Sequence, residues 1–275
     1  MKTPSAAVKI HPIVVVVNFS GNVGKTTLTR NLLLPCLPDA HLIAIETINA
    51  GYDAAAAKSA EETSAILIEA LTQSRTRPVV IDVGASNVEV FFTQAGRMSA
   101  LLARVTRFVV PCTPEAKTIT DTASTVMSLV EGLGVPAERI SIVFNKARPN
   151  TRLERDFAAI YAMARDTGAQ VIDKPVHEVQ LYQTLADLGT TLATIASDEH
   201  DYLGMLYDPK ISSEEANQFA KMGVYQVEAK QAFGYLREVF ELLGIVPVSG
   251  SSQHPPSSAS MKAGTSGVAV SASAS

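Results

Sequence analysis

The stretch that decides the fold runs Ile13-Val14-Val15-Val16-Val17-Asn18-Phe19-Ser20-Gly21-Asn22-Val23-Gly24-Lys25-Thr26-Thr27. Its first five residues are all β-branched, which predicts a buried strand over residues 13–17. A loop that contains glycine follows, and a helical pattern begins at Leu28 and is expected to stop at Pro35. A strand, a loop ending in Gly-Lys-Thr and a helix form the context in which such a loop binds phosphate.

The predicted loop has a physical basis for binding a nucleotide. Free backbone N–H groups and the positive end of the helix dipole converge there, and both favour an anion. The residues that we expect to bind the nucleotide are Gly21, Asn22, Val23, Gly24, Lys25, Thr26 and Thr27. Lys25 is expected to reach the β- and γ-phosphates and to act in catalysis, and the Thr26 hydroxyl to be a ligand of Mg²⁺. The alternative is an ordinary tight turn with a solvated lysine.

The loop departs from the general pattern Gly-x-x-x-x-Gly-Lys-Thr, because Phe19 stands where that pattern has a glycine. It resembles instead the deviant Walker A loop of the ParA/MinD family of P-loop ATPases, which runs Lys-Gly-Gly-x-Gly-Lys-Thr. Ser20 replaces the first lysine of that pattern, and Asn22 replaces its second glycine. Asparagine tolerates a left-handed backbone better than other non-glycine residues, so Asn22 can keep the shape of the loop. The form Ser-Gly-Asn-Val-Gly-Lys-Thr-Thr is similar to the StbB branch of plasmid stability proteins.

Continuous apolar strand patterns alternate with helical patterns as far as residue 172. This alternation predicts an α/β fold, with a mostly parallel central sheet covered by helices on both faces. The resemblance covers about residues 12 to 175 and implies the three-layer fold of P-loop NTPases. Ligands of such sheets bind at the carboxyl ends of the strands. Glu46, Asp82 and Asn145 each end a different predicted strand, so we expect them to meet at the edge that carries the loop.

These strand-end residues suggest the parts of a nucleotide site. Asp82 is expected to hold Mg²⁺ opposite Thr26, the alternative being a helix cap. The resemblance implies that Glu46 acts in catalysis by orienting water, although a solvated acid is nearly as good an interpretation. It also implies that Asn145 contacts adenine and that the N–H of Gly84 senses the γ-phosphate. A guanine site of the Asn-Lys-x-Asp type would need Asp at position 148, where the chain has arginine, and this favours ATP over GTP.

The chain divides into four predicted regions. They are an N-terminal extension over 1–11, a P-loop ATPase domain over 12–197, a helical C-terminal extension over 198–246 and a disordered tail over 247–275. The tail is made of Ser, Ala, Gly and Pro and has too few large apolar residues to offset the cost of ordering. A capping box at Ser212 and Glu215 opens a helical pattern that we expect to be interrupted at Gly223. Its apolar face is expected to cover the core, with a partner interface as the alternative.

Composition argues against several classes of protein, although a net charge does not exclude a local basic face. The 275 residues carry a net charge of −4, which does not support direct binding of DNA. The two cysteines, Cys36 and Cys112, have no metal-binding spacing, which is typical of a protein of the reducing cytoplasm. No apolar run approaches the ~20 residues of a membrane span.

The resemblance implies a slow, Mg²⁺-dependent ATPase that acts in plasmid stability, partition or positioning, and also in conjugation. It implies a plasmid-encoded DNA-binding protein as partner. A homodimer is a further implication, but Ser20 lacks the charge that the family lysine carries across the dimer. Three other functions stay open. One is a nucleotide-dependent switch or adaptor with negligible hydrolysis, and another is a small-molecule ligase or kinase similar to dethiobiotin synthetase. The third is a relative of iron–sulfur reductases, which would need paired cysteines at a dimer interface, and the position of Cys36 near the end of the first helix argues against it.

Overall fold

The computed structural model describes residues 11–45 and 59–245. Within them the strands are β1 Ile13–Val16, β2 His41–Ile45, β3 Val79–Val83, β4 Val105–Cys112, β5 Ile140–Phe144 and β6 Gln170–Ile172. They form one sheet in the order β2-β3-β1-β4-β5-β6, and every neighbouring pair is parallel. The predicted α/β fold with a parallel sheet is therefore confirmed. Glu46 and the predicted tail lie outside the described residues.

Helices cover both faces of this sheet. Their bounds are α1 Lys25–Leu28, α2 Leu34–Cys36, α3 Ala60–Gln73, α4 Val88–Arg97, α5 Ser99–Arg104, α6 Ala116–Met127, α7 Leu153–Asp156, α8 Ala158–Thr167, α9 Gln180–Asp187, α10 Leu192–Ala196, α11 Tyr202–Met205 and α12 Ser213–Leu242. None of the helices in the described ranges combines the length and the apolar character that crossing a bilayer requires.

Alternate residues of the buried strands face two separate cores, as the period of two in a strand requires. Val15 belongs to the core beneath α3, α4, α5, α6 and α8. Val14 and Val16 belong to the other core, beneath α1, α9, α10 and α12. Because β1 is fully buried on both faces, its sequence is a continuous apolar run. Helices, sheet and helices make the three layers that the sequence predicted.

The prediction that Pro35 ends the first helix is wrong. A π-helical turn over Thr29–Leu33 follows α1, and α2 continues through Pro35 to Cys36. The backbone stays helical from α1 through the π-helical turn into α2, and Pro35, which has no N–H to donate, directly follows the turn in which the N–H of Leu34 donates to the carbonyl of Thr29. Helical structure therefore extends one residue beyond the proline.

The expected interruption at Gly223 is also wrong, since α12 runs unbroken through it for 30 residues. A Cβ atom at Gly223 would lie 2.6 Å from Cδ2 of Leu203, so the missing side chain allows α11 to pack against α12. The capping box is confirmed, with Ser212 and Glu215 exchanging both of its hydrogen bonds. The apolar face of α12 packs on the core of Val14, as the sequence predicted.

The sheet order places the carboxyl ends of β1, β3, β4 and β5 side by side. The strands β3 and β4 flank β1 on either side, so the chain leaves β1 at the point where the strand order reverses. In open parallel sheets this is the place where ligands bind. The loop predicted to bind phosphate leaves the sheet there.

Candidate functional site

The loop between β1 and α1 alternates in backbone handedness. Asn22 has a φ of 54° and Gly24 a φ of 81°, both in the left-handed region. Alternation of this kind turns successive N–H groups toward one side of the chain and forms a concave site for an anion. Gly24 has a further reason to be glycine, because a Cβ atom there would lie 2.1 Å from the side-chain nitrogen of Asn145.

Lys25 lies against the loop that precedes it. Its side chain is buried, at 8% exposed. The ammonium group donates hydrogen bonds to the carbonyl oxygens of Asn18, at 3.2 Å, and Ser20, at 2.8 Å. These bonds fix a positive charge beside the N–H groups at the start of α1. The arrangement suits an anion of several charges, such as a polyphosphate.

The side chain of Asn18 anchors the start of the loop, and sequence reasoning missed it. Its Nδ2 donates to the carbonyl of Pro111 and to the hydroxyl of Thr122, both at 2.8 Å. Its Oδ1 accepts the N–H of Ser20 at 2.7 Å. The loop is thereby tied to the end of β4 and to α6. The available signal was the series of threonines at helical spacing in α6, where Thr118, Thr122 and Thr125 are all buried.

Phe19 occupies the position where the general phosphate-loop pattern has glycine. Its ring contacts Phe92 edge-on, with the ring centroids 5.5 Å apart. Its N–H donates to the hydroxyl of Thr125 at 3.1 Å. Contact with α4 and a bond to α6 accommodate a large side chain at this point of the loop.

Asn145 lies behind the loop at the end of β5. It is buried, and its Nδ2 donates to the carbonyl of Val23 at 2.8 Å. This hydrogen bond joins β5 to the loop and gives Asn145 a positioning role. Its predicted contact with adenine stays a prediction. Arg148, which stands where a guanine site would have an aspartate, forms an exposed ion pair with Glu178 at 3.6 Å.

Asp82 lies within β3, paired with Val16 of β1 on one side and Ala44 of β2 on the other. Only 2% of it is exposed. By strand alternation its side chain shares a face with Val80, which packs in the same core as Leu28 of α1. The helix α1, which contains Thr26, packs on that same face through Leu28, and carboxylate and hydroxyl oxygens are donors that Mg²⁺ accepts. Asp82 and Thr26 are therefore of the donor type that would suit this ion.

The segment after β3 is tied to the end of β2. Gly84 donates its N–H to the carbonyl of Ile45 at 2.9 Å, and Nδ2 of Asn87 donates to the same oxygen at 3.2 Å. The sequence analysis expects the N–H of Gly84 to sense the γ-phosphate. In this structure that N–H is instead engaged with the backbone of β2. Glu46, the residue predicted to orient water, follows Ile45 immediately but lies outside the described residues.

A cavity of about 320 Å³ adjoins the loop. Asn22, Gly24 and Thr27 belong to its lining, and residues 145–146, 177–180 and 182–183 supply the rest. A neighbouring cavity of about 170 Å³ shares Thr27 with it. A larger cavity of about 790 Å³, between α8 and Asp173, contains none of the predicted site residues. The space beside the loop is therefore the candidate site.

Comparison with known proteins finds likeness among solved structures. No family model matches the chain, and no curated protein matches it. MinD, a cell division protein of Aquifex aeolicus, is 14% identical over 82% of this chain and 98% of that one, with a TM-score of 0.48. MinD, the cell division ATPase of Pyrococcus furiosus, is 16% identical over 85% and 100%, with a TM-score of 0.48.

A Cyanothece McdA variant solved with ATP is 14% identical over 82% of this chain and 97% of that one, again with a TM-score of 0.48. Likeness at this level carries no argument about function, and the fold rests on the sheet of this chain.

Proposed function

We propose that this chain binds ATP with Mg²⁺ and hydrolyses it slowly. The observation that supports this most directly is the loop between β1 and α1. It has two left-handed residues, a buried lysine held against it and the start of a helix directly after it. Each of these features favours a polyphosphate, and together they lie at the sheet edge where such ligands bind.

The roles we propose follow the positions of the residues. Lys25 and the N–H groups of residues 21–27 bind the β- and γ-phosphates. Thr26 and Asp82 would hold Mg²⁺, and the ion would supply positive charge beside the phosphates. Glu46, whose role rests on the resemblance alone, orients the attacking water. Asn145 keeps the loop in place through its hydrogen bond to the carbonyl of Val23. Because Arg148 stands where a guanine site would have an aspartate, the site favours ATP over GTP.

The cellular role we propose is plasmid stability, partition or positioning, with a function in conjugation. It is supported by the likeness of the loop to that of StbB proteins. The net charge of −4 favours action through a plasmid-encoded DNA-binding partner over direct contact with DNA. Within the chain, we assign nucleotide binding to residues 12–197 and a covering role to the helices of residues 198–246.

A titration of ATP and of GTP in the presence of Mg²⁺, with phosphate release followed in the same samples, tests the proposal. We expect tight binding of ATP, weaker binding of GTP and slow release of phosphate. Lys25→Ala should abolish ATP binding, and Lys117→Ala, which removes an exposed lysine of α6, should leave it unchanged. Failure of the wild-type protein to bind either nucleotide would overturn the proposal.

A second candidate function is a nucleotide-dependent switch with negligible turnover. Ser20 favours it, because this residue is uncharged and buried, at 4% exposed, where the resemblance has a lysine that reaches outward. Loss of a cation that acts on the transition state can lower a rate by ~10³–10⁵. Tight ATP binding with no phosphate release in a single-turnover experiment would select the switch over the ATPase.

A further inference from the structure

Two strained residues beside the candidate site are joined to each other. Among the described residues, Asn22, Asp39 and Lys146 are the non-glycine residues with positive φ, at 54°, 61° and 53°. The ammonium group of Lys146 donates to Oδ1 of Asn22 at 3.0 Å, across 124 positions of sequence. Side chains disfavour this backbone conformation, and such residues cluster at functional sites, where the surrounding structure holds them in place.

The position of Lys146 brings its charge to the phosphate loop. It follows Asn145 at the end of β5 and lines the same cavity as Asn22, Gly24 and Thr27. Its side chain is half-buried. The backbone at Lys146 is left-handed, and the ammonium group of this residue lies beside Asn22 of the loop. Lys25 is buried against the loop, whereas Lys146 contacts the loop from the side of the cavity.

The charged groups around Lys146 leave it available to an anion. Arg148 is engaged with Glu178. The hydroxyl of Thr113, together with the charges of Lys146 and Arg148, holds the pKa of Glu115 below its ordinary range. Glu115 is exposed, so water screens its attraction for Lys146. A bound polyphosphate would carry more negative charge than this single carboxylate.

We propose that Lys146 is a second cation of the phosphate site, which acts on the nucleotide phosphates from the end of β5 while Asn22 holds it over the loop. The inference rests on the proposed binding of ATP. It differs from that proposal because it assigns phosphate affinity to a residue outside the loop motif. It predicts that the contribution of Lys146 grows with the number of phosphates and depends on its charge.

The test measures dissociation constants of ATP, ADP and adenosine, with Mg²⁺, for the wild-type protein and for Lys146→Ala, Lys146→Gln and Lys146→Arg. Lys221→Ala, which removes an exposed lysine of α12, is the matched control. We expect Lys146→Ala and Lys146→Gln to weaken ATP by about fivefold, the upper range for a partly exposed ion pair. ADP should be weakened less and adenosine not at all, and Lys146→Arg should keep most of the affinity for ATP.

The outcomes separate this inference from the proposed function. If the wild-type protein does not bind ATP, the proposed function fails and this inference fails with it. If Lys25→Ala abolishes binding while all Lys146 variants bind ATP as the wild type does, only this inference fails. Equal losses for ATP and adenosine would place Lys146 at the base instead. Wild-type affinity in Lys146→Gln, which can still hydrogen-bond to Asn22, would show that the charge has no part.

Discussion

The hydrogen bond between Asn18 and Thr122 offers a direct test of how the phosphate loop is held. Thr122→Val replaces a hydroxyl by a methyl group of nearly the same shape, so it removes the bond without opening a cavity. Thr122 and Asn18 are both fully buried. The side-chain amide of Asn18 has two N–H groups, which donate to Pro111 and Thr122. The substitution therefore leaves one buried N–H without an acceptor.

The expected loss of stability follows from this single unpaired N–H of Asn18. A buried donor that loses its acceptor costs ~1–3 kcal/mol of unfolding free energy. For a domain of this size each kcal/mol lowers Tm by about 2–4 °C, so a loss of ~2 kcal/mol corresponds to about 4–8 °C. Because Oδ1 of Asn18 also accepts the N–H of Ser20, a shift of Asn18 displaces the loop as well. We therefore expect weaker ATP binding in addition to lower stability.

Thermal unfolding and ATP titration of Thr122→Val measure both effects. The matched control is Thr120→Val, the same substitution at an exposed position of α6 where the hydroxyl bonds only to a carbonyl of its own helix. The control should change the unfolding free energy by less than about 0.5 kcal/mol. If the two variants unfold at the same temperature, or if Thr122→Val binds ATP as tightly as the wild type, Asn18 does not position the loop through α6.

Three further predictions concern the loop, the last helix and the buried thiol. Gly24→Ala should abolish ATP binding in a protein with an unchanged circular dichroism spectrum, because it adds ~1–2 kcal/mol of left-handed strain and a Cβ atom 2.1 Å from the amide of Asn145. Leu236→Ala on the buried face of α12 should cost ~2–5 kcal/mol in urea unfolding, whereas Leu242→Ala, at 46% exposed, should cost less than about 0.5 kcal/mol; equal losses would mean that α12 does not complete the core. Burial raises the pKa of the Cys112 thiol to about 12, so the neutral thiol persists through pH 8 and should resist alkylation until the protein unfolds, as mass spectrometry of the labelled protein would report.

The sequence predicted those parts of the fold that depend on local pattern. Mostly apolar runs identified β1, β3 and β5, because strands buried on both faces have few polar residues, here Asp82 and Ser141. The capping box at Ser212 identified the start of α12, since both of its hydrogen bonds form within four residues. The prediction failed at Pro35 and Gly223, where neighbouring structure decided the outcome. A π-helical turn precedes the first, and Leu203 packs against the second.

The parts of the candidate site that escaped prediction depend on contacts between residues that are distant in sequence. Asn18 and Thr122 are 104 positions apart, and Val23 and Asn145 are 122 apart. No periodicity or motif encodes which buried amide meets which hydroxyl, because these pairs form only when strand order brings β1, β4 and β5 together. Lys25 and the residues around it could be found because the loop motif is contiguous, whereas the residues that position the loop are not.

The two departures of the loop from its usual glycines have different physical explanations. Glycine serves a phosphate loop by allowing backbone conformations that other residues resist. Phe19 does not have a positive φ, so its backbone needs no glycine, and its ring packs against Phe92 while its N–H donates to the hydroxyl of Thr125. Asn22 has a φ of 54°, and there the ammonium group of Lys146 helps to hold the left-handed conformation. By this reasoning, Asn22→Gly should lower the unfolding free energy more in the wild type than in the Lys146→Ala background.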